Sequence, residues 1–89
     1  MTYFVYILQC ADRTLYTGVT TCVERRLIEH NSTSKGAKYT KTRRPVALVY
    51  FKNYKNRSEA QQEESRIKKL SRPQKTELIE SSSGLLPEE

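Results

Sequence analysis

The sequence predicts an α/β protein of the α+β type: a small three-stranded antiparallel sheet flanked by helices, in the order β-β-α-β-α-α. Three observations lead there. Residues 3 to 10 form an almost unbroken apolar, β-branched and aromatic run, as expected of a central strand covered on both faces. Residues 15 to 20 follow a turn at Ala11 to Thr14 and complete a hairpin. Downstream, two helix-start signals bracket a further run rich in Val, Leu, Tyr and Phe.

In the hairpin, side chains two apart share a face, so Tyr16 and Gly18 lie on one side and Leu15, Thr17 and Val19 on the other. Tyr6 and Tyr16 would then share one surface. Tyrosine also packs well on a pleated sheet, and that plain structural role stands beside any chemical one. Gly18 within a strand points to a bulge, the commoner cause, or to a close approach by a ligand. Thr21 to Glu24 reads as a capping box that starts a helix at Cys22, running to His30 or Asn31 with Val23, Leu27 and Ile28 as its apolar stripe. Arg26 and His30, four apart, emerge from the same side of that helix.

Residues 31 to 44 read as a loop closed by Pro45, and its Lys35, Lys38, Lys41, Arg43 and Arg44 form a basic cluster suited to nucleic acid. A third strand is expected over Val46 to Phe51. A second helix should follow Asn56-Arg57-Ser58 and run to about Leu70, capped either by Ser58 with Gln61 or by Asn56 with Glu59. Its apolar anchors are Ala60, Ile67 and Leu70, and Glu64 falls on the same, sheet-facing side. A carboxylate there calls for a metal ion, an arginine or a lysine, unless Glu63 turns inward instead. Pro73 would open a last short helix through Ile79. The single domain spans residues 1 to 80, and 81 to 89 read as a flexible acidic tail.

Composition narrows the function. All sixteen lysines and arginines but only six of the ten acids fall within residues 1 to 76, a net charge of +10, whereas the last thirteen residues carry four glutamates and no base. So basic a body favours a polyanion, nucleic acid ahead of membrane because no basic amphipathic helix with an aromatic face is visible. Cys10 and Cys22 are too few for a disulfide framework and lack zinc-ligand spacing, so they read as reduced thiols with no zinc. No leader-like or membrane-length apolar segment is present in the sequence, and a cytoplasmic monomer is expected.

The ordered set of Val5-Tyr6-Ile7, Tyr16-Thr17-Gly18, Arg26 and His30 four apart, and Glu64 on the next helix resembles the GIY-YIG nuclease domain over residues 2 to 79. The likeness is closest to its small stand-alone bacterial members, the UPF0213-like proteins. It extends to Val23 to Arg26, Gly36 to Thr40, Arg66 to Lys68 and Lys75. Val5 and Thr17 depart from the name-giving triplets but leave both tyrosines and Gly18 in place.

The resemblance implies a metal-dependent endonuclease that hydrolyses DNA phosphodiesters, with DNA ahead of RNA, in repair or processing. It implies that Glu64 holds one Mg²⁺ or Mn²⁺ and that Arg26 binds the scissile phosphate. Tyr6 and Tyr16 would flank the attacking water, one of them as base. His30 would relay a proton or contact phosphate, with Lys38 a further candidate. A separate recognition domain is not evident, so binding should be salt-sensitive with little base readout. The alternative is a nucleic-acid-binding module of this fold with weak turnover. A third reading is a protein-interaction domain whose acidic tail covers its own basic face.

Overall fold

The computed structural model describes residues 1–32 and 34–81. It contains β1 (Tyr3–Gln9), β2 (Leu15–Thr20), α1 (Val23–Ser32), α2 (Lys38–Lys41), β3 (Ala47–Tyr54), α3 (Arg57–Lys68) and α4 (Arg72–Ser81). The three-stranded antiparallel sheet has the order β2-β1-β3, with the most apolar strand in the centre. Four consecutive β1 residues, Val5 to Leu8, are buried, which requires cover on both faces.

The cover is divided between the helices. Val5, Ile7 and Tyr50 pack against Ala60 and Ile67 of α3, with Leu78 and Ile79 of α4 behind them. On the other face Tyr6, Leu8, Cys10 and Val46 pack with Leu27 of α1. The hairpin closes through bonds from the Cys10 amide to the Thr14 carbonyl at 2.8 Å and from the Arg13 amide to the Cys10 carbonyl at 2.8 Å. The irregularity in the sheet lies between β1 and β3, where Ile7 faces Tyr50 but Leu8 faces Leu48. Gly18 pairs regularly with Tyr6, so it marks no bulge.

Several boundaries differ from the sequence reading. The α1 helix starts one residue later, with the Cys22 carbonyl accepting from the Arg26 amide at 3.1 Å. Thr20 rather than Thr21 serves this end: its hydroxyl accepts from the Cys22 amide at 3.2 Å, while the Thr21 hydroxyl accepts from Arg25. Ile28 is 61% exposed, because the inward stripe of α1 runs through Leu27 and His30 instead. The stretch read as loop contains the four-residue α2, held by bonds from the Thr40 and Lys41 amides to the Ala37 carbonyl. Strand β3 extends to Tyr54. Helix α3 is capped by Asn56, whose side chain accepts from the Glu59 amide at 2.8 Å.

Helix α4 begins at Arg72, with Pro73 second, and Ser71 and Gln74 exchange reciprocal side-chain bonds to each other's amides, a capping box. Ser81 belongs to α4, and the rest of the expected tail, 82–89, lies outside the described residues. No described helix is long and apolar enough to cross a membrane.

The C-terminal end of α1 is tied to the start of β3 by side chains. Asn31 Nδ2 donates to the Val46 carbonyl at 2.9 Å and its Oδ1 accepts from the Val46 amide at 2.7 Å, an amide standing in for a strand partner. Arg44 Nε donates to the His30 carbonyl at 2.6 Å, meeting one of the carbonyls that a helix end leaves unbonded. Asn31→Ala removes both bonds to a buried residue and should lower stability by about 1–3 kcal/mol, read as a lower urea midpoint at unchanged slope.

Candidate active site

Tyr6 and Gly18 are direct cross-strand partners, and the tyrosine ring folds over the glycine. A Cβ at position 18 would stand 2.5 Å from the Tyr6 hydroxyl oxygen and 2.7 Å from Cζ, so only glycine leaves room for the phenol. The ring is thereby laid down on the sheet with its hydroxyl directed to α1, where it lies 2.9 Å from His30 Nε2. His30 is fully buried, and its Nδ1 lies 2.8 Å from the Thr40 hydroxyl. That hydroxyl donates in turn to the Ala37 carbonyl at 2.9 Å.

The short bonds run one way if Tyr6 O–H donates to Nε2 and Nδ1–H donates to Thr40, a tautomer assigned from the network. The Ala37 amide's 3.4 Å approach to Nδ1 fits the other tautomer and is the weaker contact. Gly36 makes the network possible. A Cβ there would meet the Glu29 carbonyl oxygen at 2.7 Å and His30 Cα at 2.9 Å, so the loop can close on α1 only without a side chain.

Burial dominates the electrostatics. It pushes the Tyr6 phenol up to about 12, partly opposed by Arg26, so Tyr6 is a neutral phenol near pH 7. It pushes His30 down to about 4, with the Arg26 and Arg44 charges acting in the same direction, so His30 is neutral as well. Arg26 is half-buried and fixed: its Nη1 lies 2.8 Å from Glu29 Oε1 and donates to the Lys35 carbonyl at 2.8 Å. The same contact holds the Glu29 carboxyl below its usual range.

Tyr6, Tyr16, Gly18, Arg26 and Glu64 line one open cleft of about 440 Å³. The cleft draws Tyr16 and Gly18 from one face of the edge strand β2 and Val19 from the other, so it passes over that edge of the sheet. Arg26 reaches it from α1 on one face and Glu64 from α3 on the opposite face. Glu64 is the sole carboxylate in the lining, and it is 3.2 Å from Lys68 Nζ, with 22% of its side chain exposed. The lysine pairing foreseen for this residue is therefore present, together with access to the cleft. Glu63 pairs with Arg66 instead.

The other expected residues separate from this group. His30 lies beneath Tyr6 and does not line the cleft, so direct phosphate contact, one of its two expected roles, is closed to it by burial. Lys35, Lys38 and Lys41 are exposed and Arg43 and Arg44 half-buried, all outside the cleft lining. Arg43 pairs with Asp12 at 3.0 Å and lies 3.9 Å over the Tyr39 ring, which stacks on Tyr16 at 6.0 Å. Arg44 holds the end of α1. Sequence reading missed Arg25, Arg57, Gln61, Thr21 and Tyr3, which complete the cleft lining, and Glu29, which orients Arg26. Glu29 carried a local signal in its helical i+3 spacing from Arg26, and Arg57 and Gln61 in their helical spacing from Glu64.

One divalent ion fits this donor set in a limited way. Among the described residues no three His, Cys, Asp or Glu side chains gather as a cage. A single carboxylate facing an open cleft suits Mg²⁺ or Mn²⁺, whose remaining positions are filled by water and substrate oxygens.

Comparison with known proteins agrees with the geometry. The family model for the GIY-YIG catalytic domain matches residues 2–77. The chain is 56% identical over 80 residues to a UPF0213 protein of Desulfotalea psychrophila, covering 90% of this chain and 73% of that one. It is 55% identical over 78 residues to a UPF0213 protein of Staphylococcus haemolyticus, covering 88% and 94%. The solution NMR structure of a UPF0213 protein from Bacillus halodurans superposes with a TM-score of 0.62 at 43% identity, over 94% of this chain and 88% of that one.

Two outcomes follow from the Tyr6 network. Gly18→Ala should displace the phenol and cost about 1–3 kcal/mol, seen as a lower thermal midpoint and loss of the Tyr6–His30 contact in ring NMR signals. Because the folded His30 pKa lies below its unfolded value near 6.5, its contribution is complete above pH 6.5 and is lost as pH falls toward about 4. Stability should therefore fall with pH in this window, with a slope from His30 of up to about 1.4 kcal/mol per pH unit that His30→Asn removes.

Proposed function

The chain belongs to the GIY-YIG family, and on that premise we propose that it is a metal-dependent endonuclease hydrolysing phosphodiester bonds in DNA, directed by nucleic-acid structure with little sequence preference. The observation that carries this reading is the meeting of Tyr6, Tyr16, Arg26 and Glu64 in one cleft from four separate elements. Packing accounts for the Tyr6 ring in the core, but not for a fixed guanidinium and a lone carboxylate brought beside two phenols at an open edge. That set does supply what in-line attack on a phosphodiester needs.

Arg26, already oriented by Glu29 and the Lys35 carbonyl, would take two oxygens of the scissile phosphate and stabilise the charge added in the transition state. Tyr6 is bound to His30 as a neutral phenol and would position the water. Tyr16 is half-exposed, and its hydroxyl has no protein partner among the described residues, which favours it as base. As a phenolate it would accept one water proton while the new O–P bond forms and one ester P–O bond breaks. His30 holds Tyr6 in place, and its low pKa makes it a poor store for the proton.

Glu64 would hold one Mg²⁺ or Mn²⁺, which when bound polarises the phosphate and favours loss of the water proton. A cytoplasmic monomer acting in DNA repair or processing is part of the same reading. The alternative, a binding module with weak turnover, is favoured by the Lys68 contact, which occupies the carboxylate.

Cleavage of labelled single-stranded, duplex, flapped and branched DNA with Mg²⁺ or Mn²⁺ decides between them. Glu64→Gln should abolish metal-dependent cleavage, at least about a hundredfold, while the thermal midpoint is retained. Equal cleavage by wild type and Glu64→Gln would sink the nuclease reading. Tight binding without any cleavage would leave the module.

A further inference from the structure

The cleft continues past the residues assigned to chemistry, and its remaining lining is almost entirely hydrogen-bond donors. On α3, Arg57, Gln61 and Glu64 are spaced at i, i+4 and i+7, one stripe of the helix, and all three line the cleft. From Glu64 to Arg57 the helix advances about 10 Å, at 1.5 Å per residue. A nucleic-acid strand advances roughly 3.4 Å per nucleotide, so the stripe is long enough for more than the scissile phosphate.

Two arginines belong to this far part. The Arg57 guanidinium lies 5.7 Å from the centre of the Tyr3 ring and has no carboxylate partner among the described residues. Arg25 is loosely engaged: 57% of its side chain is exposed, its Glu29 contact is 3.7 Å and its bond to the Thr21 hydroxyl is 3.4 Å. Both line the same cleft, where Glu64 is the sole carboxylate. Two like charges on one concave surface are unfavourable until an anion lies between them, and a planar guanidinium matches phosphate oxygens in pairs.

We propose that Arg57 and Arg25, with Gln61 and Thr21, form a second phosphate subsite that holds the phosphate neighbouring the scissile one on the same strand. This rests on the nucleic-acid reading of the cleft, and it moves strand binding from the lysine-rich loop at 35–44 into the cleft itself. A polynucleotide would be gripped on one side of the bond to be cut, making the protein selective for internal phosphodiesters over isolated ones.

Binding can be tested without cleavage. A fluorescein-labelled single-stranded oligodeoxynucleotide is titrated by anisotropy in EDTA from 50 to 300 mM KCl. The proteins are wild type, Arg57→Gln, Arg25→Gln, Arg57→Lys and, from outside the cleft, Lys41→Gln. Each is first checked for an unchanged thermal midpoint. Arg57→Gln and Arg25→Gln should each reduce the slope of log K against log salt by roughly 0.7, as expected for one lost contact to a single strand. Affinity at 100 mM salt should fall about five- to tenfold in each.

Arg57→Lys should keep the slope and lose only part of the affinity, and Lys41→Gln should cost less than either cleft variant. Unchanged slopes in both cleft variants, a Lys41→Gln loss as large as theirs, or no salt-dependent binding by wild type would each overturn the subsite. Arg57-dependent binding in a protein that cleaves nothing would support the subsite while removing the nuclease reading.

Discussion

The structure depends on the contact between Tyr6 and Gly18. A phenol on the central strand can lie flat only because its cross-strand partner has no side chain, and lying flat is what delivers its hydroxyl to His30. From that ring the constraint spreads outward. His30 fixes Thr40 and Ala37, and Gly36 lets their loop touch α1. The result is a polar chain with a partner at each link, linking sheet, α1 and α2 across a face otherwise held by Leu8, Val46 and Leu27. Buried polar groups are costly when unpaired, so such a chain sets the position of every member.

The price of this arrangement is a phenol and an imidazole that are both hard to charge. Burial raises one and lowers the other, so the pair is neutral and stiff near pH 7. That suits a positioning role. Tyr16 is half-exposed by contrast, its ring meeting His30 edge-on at 5.2 Å and backed by Tyr39 and Arg43. The same stiffness governs Arg26, which arrives at the cleft already held by the Glu29 carboxylate and the Lys35 carbonyl.

The excess of positive charge divides into two placements that composition does not distinguish. Arg43 and Arg44 make contacts within the fold: one ties the end of α2 to the hairpin turn through Asp12, and the other closes the end of α1. Arg25, Arg26 and Arg57 face the cleft. Glu64 and Arg57 from one face of the sheet and Arg25 and Arg26 from the other meet over the β2 edge, so the cleft exists only because α1 and α3 sit on opposite sides of a narrow sheet.

The sequence by itself determined the strands, a hairpin with Tyr6 and Tyr16 on one surface, the helices bearing Arg26 and Glu64, and the polyanion-seeking charge. These are carried by local periodicity, two for strands and 3.6 for helices, which the hydrophobic effect enforces residue by residue. The tertiary structure alone decided the register that sets Gly18 opposite Tyr6 and why it must be glycine, that His30 is buried while Ile28 is exposed, that α2 forms inside an apparent loop, and which arginines line the cleft. Each of these depends on a partner many residues away: Gly18 on Tyr6, His30 on Thr40, Arg43 on Asp12 and Arg44 on the carbonyls of α1. An arginine reads the same in sequence whether it closes a helix or waits at a cleft, because its role is fixed by what the folded chain places within reach of its guanidinium.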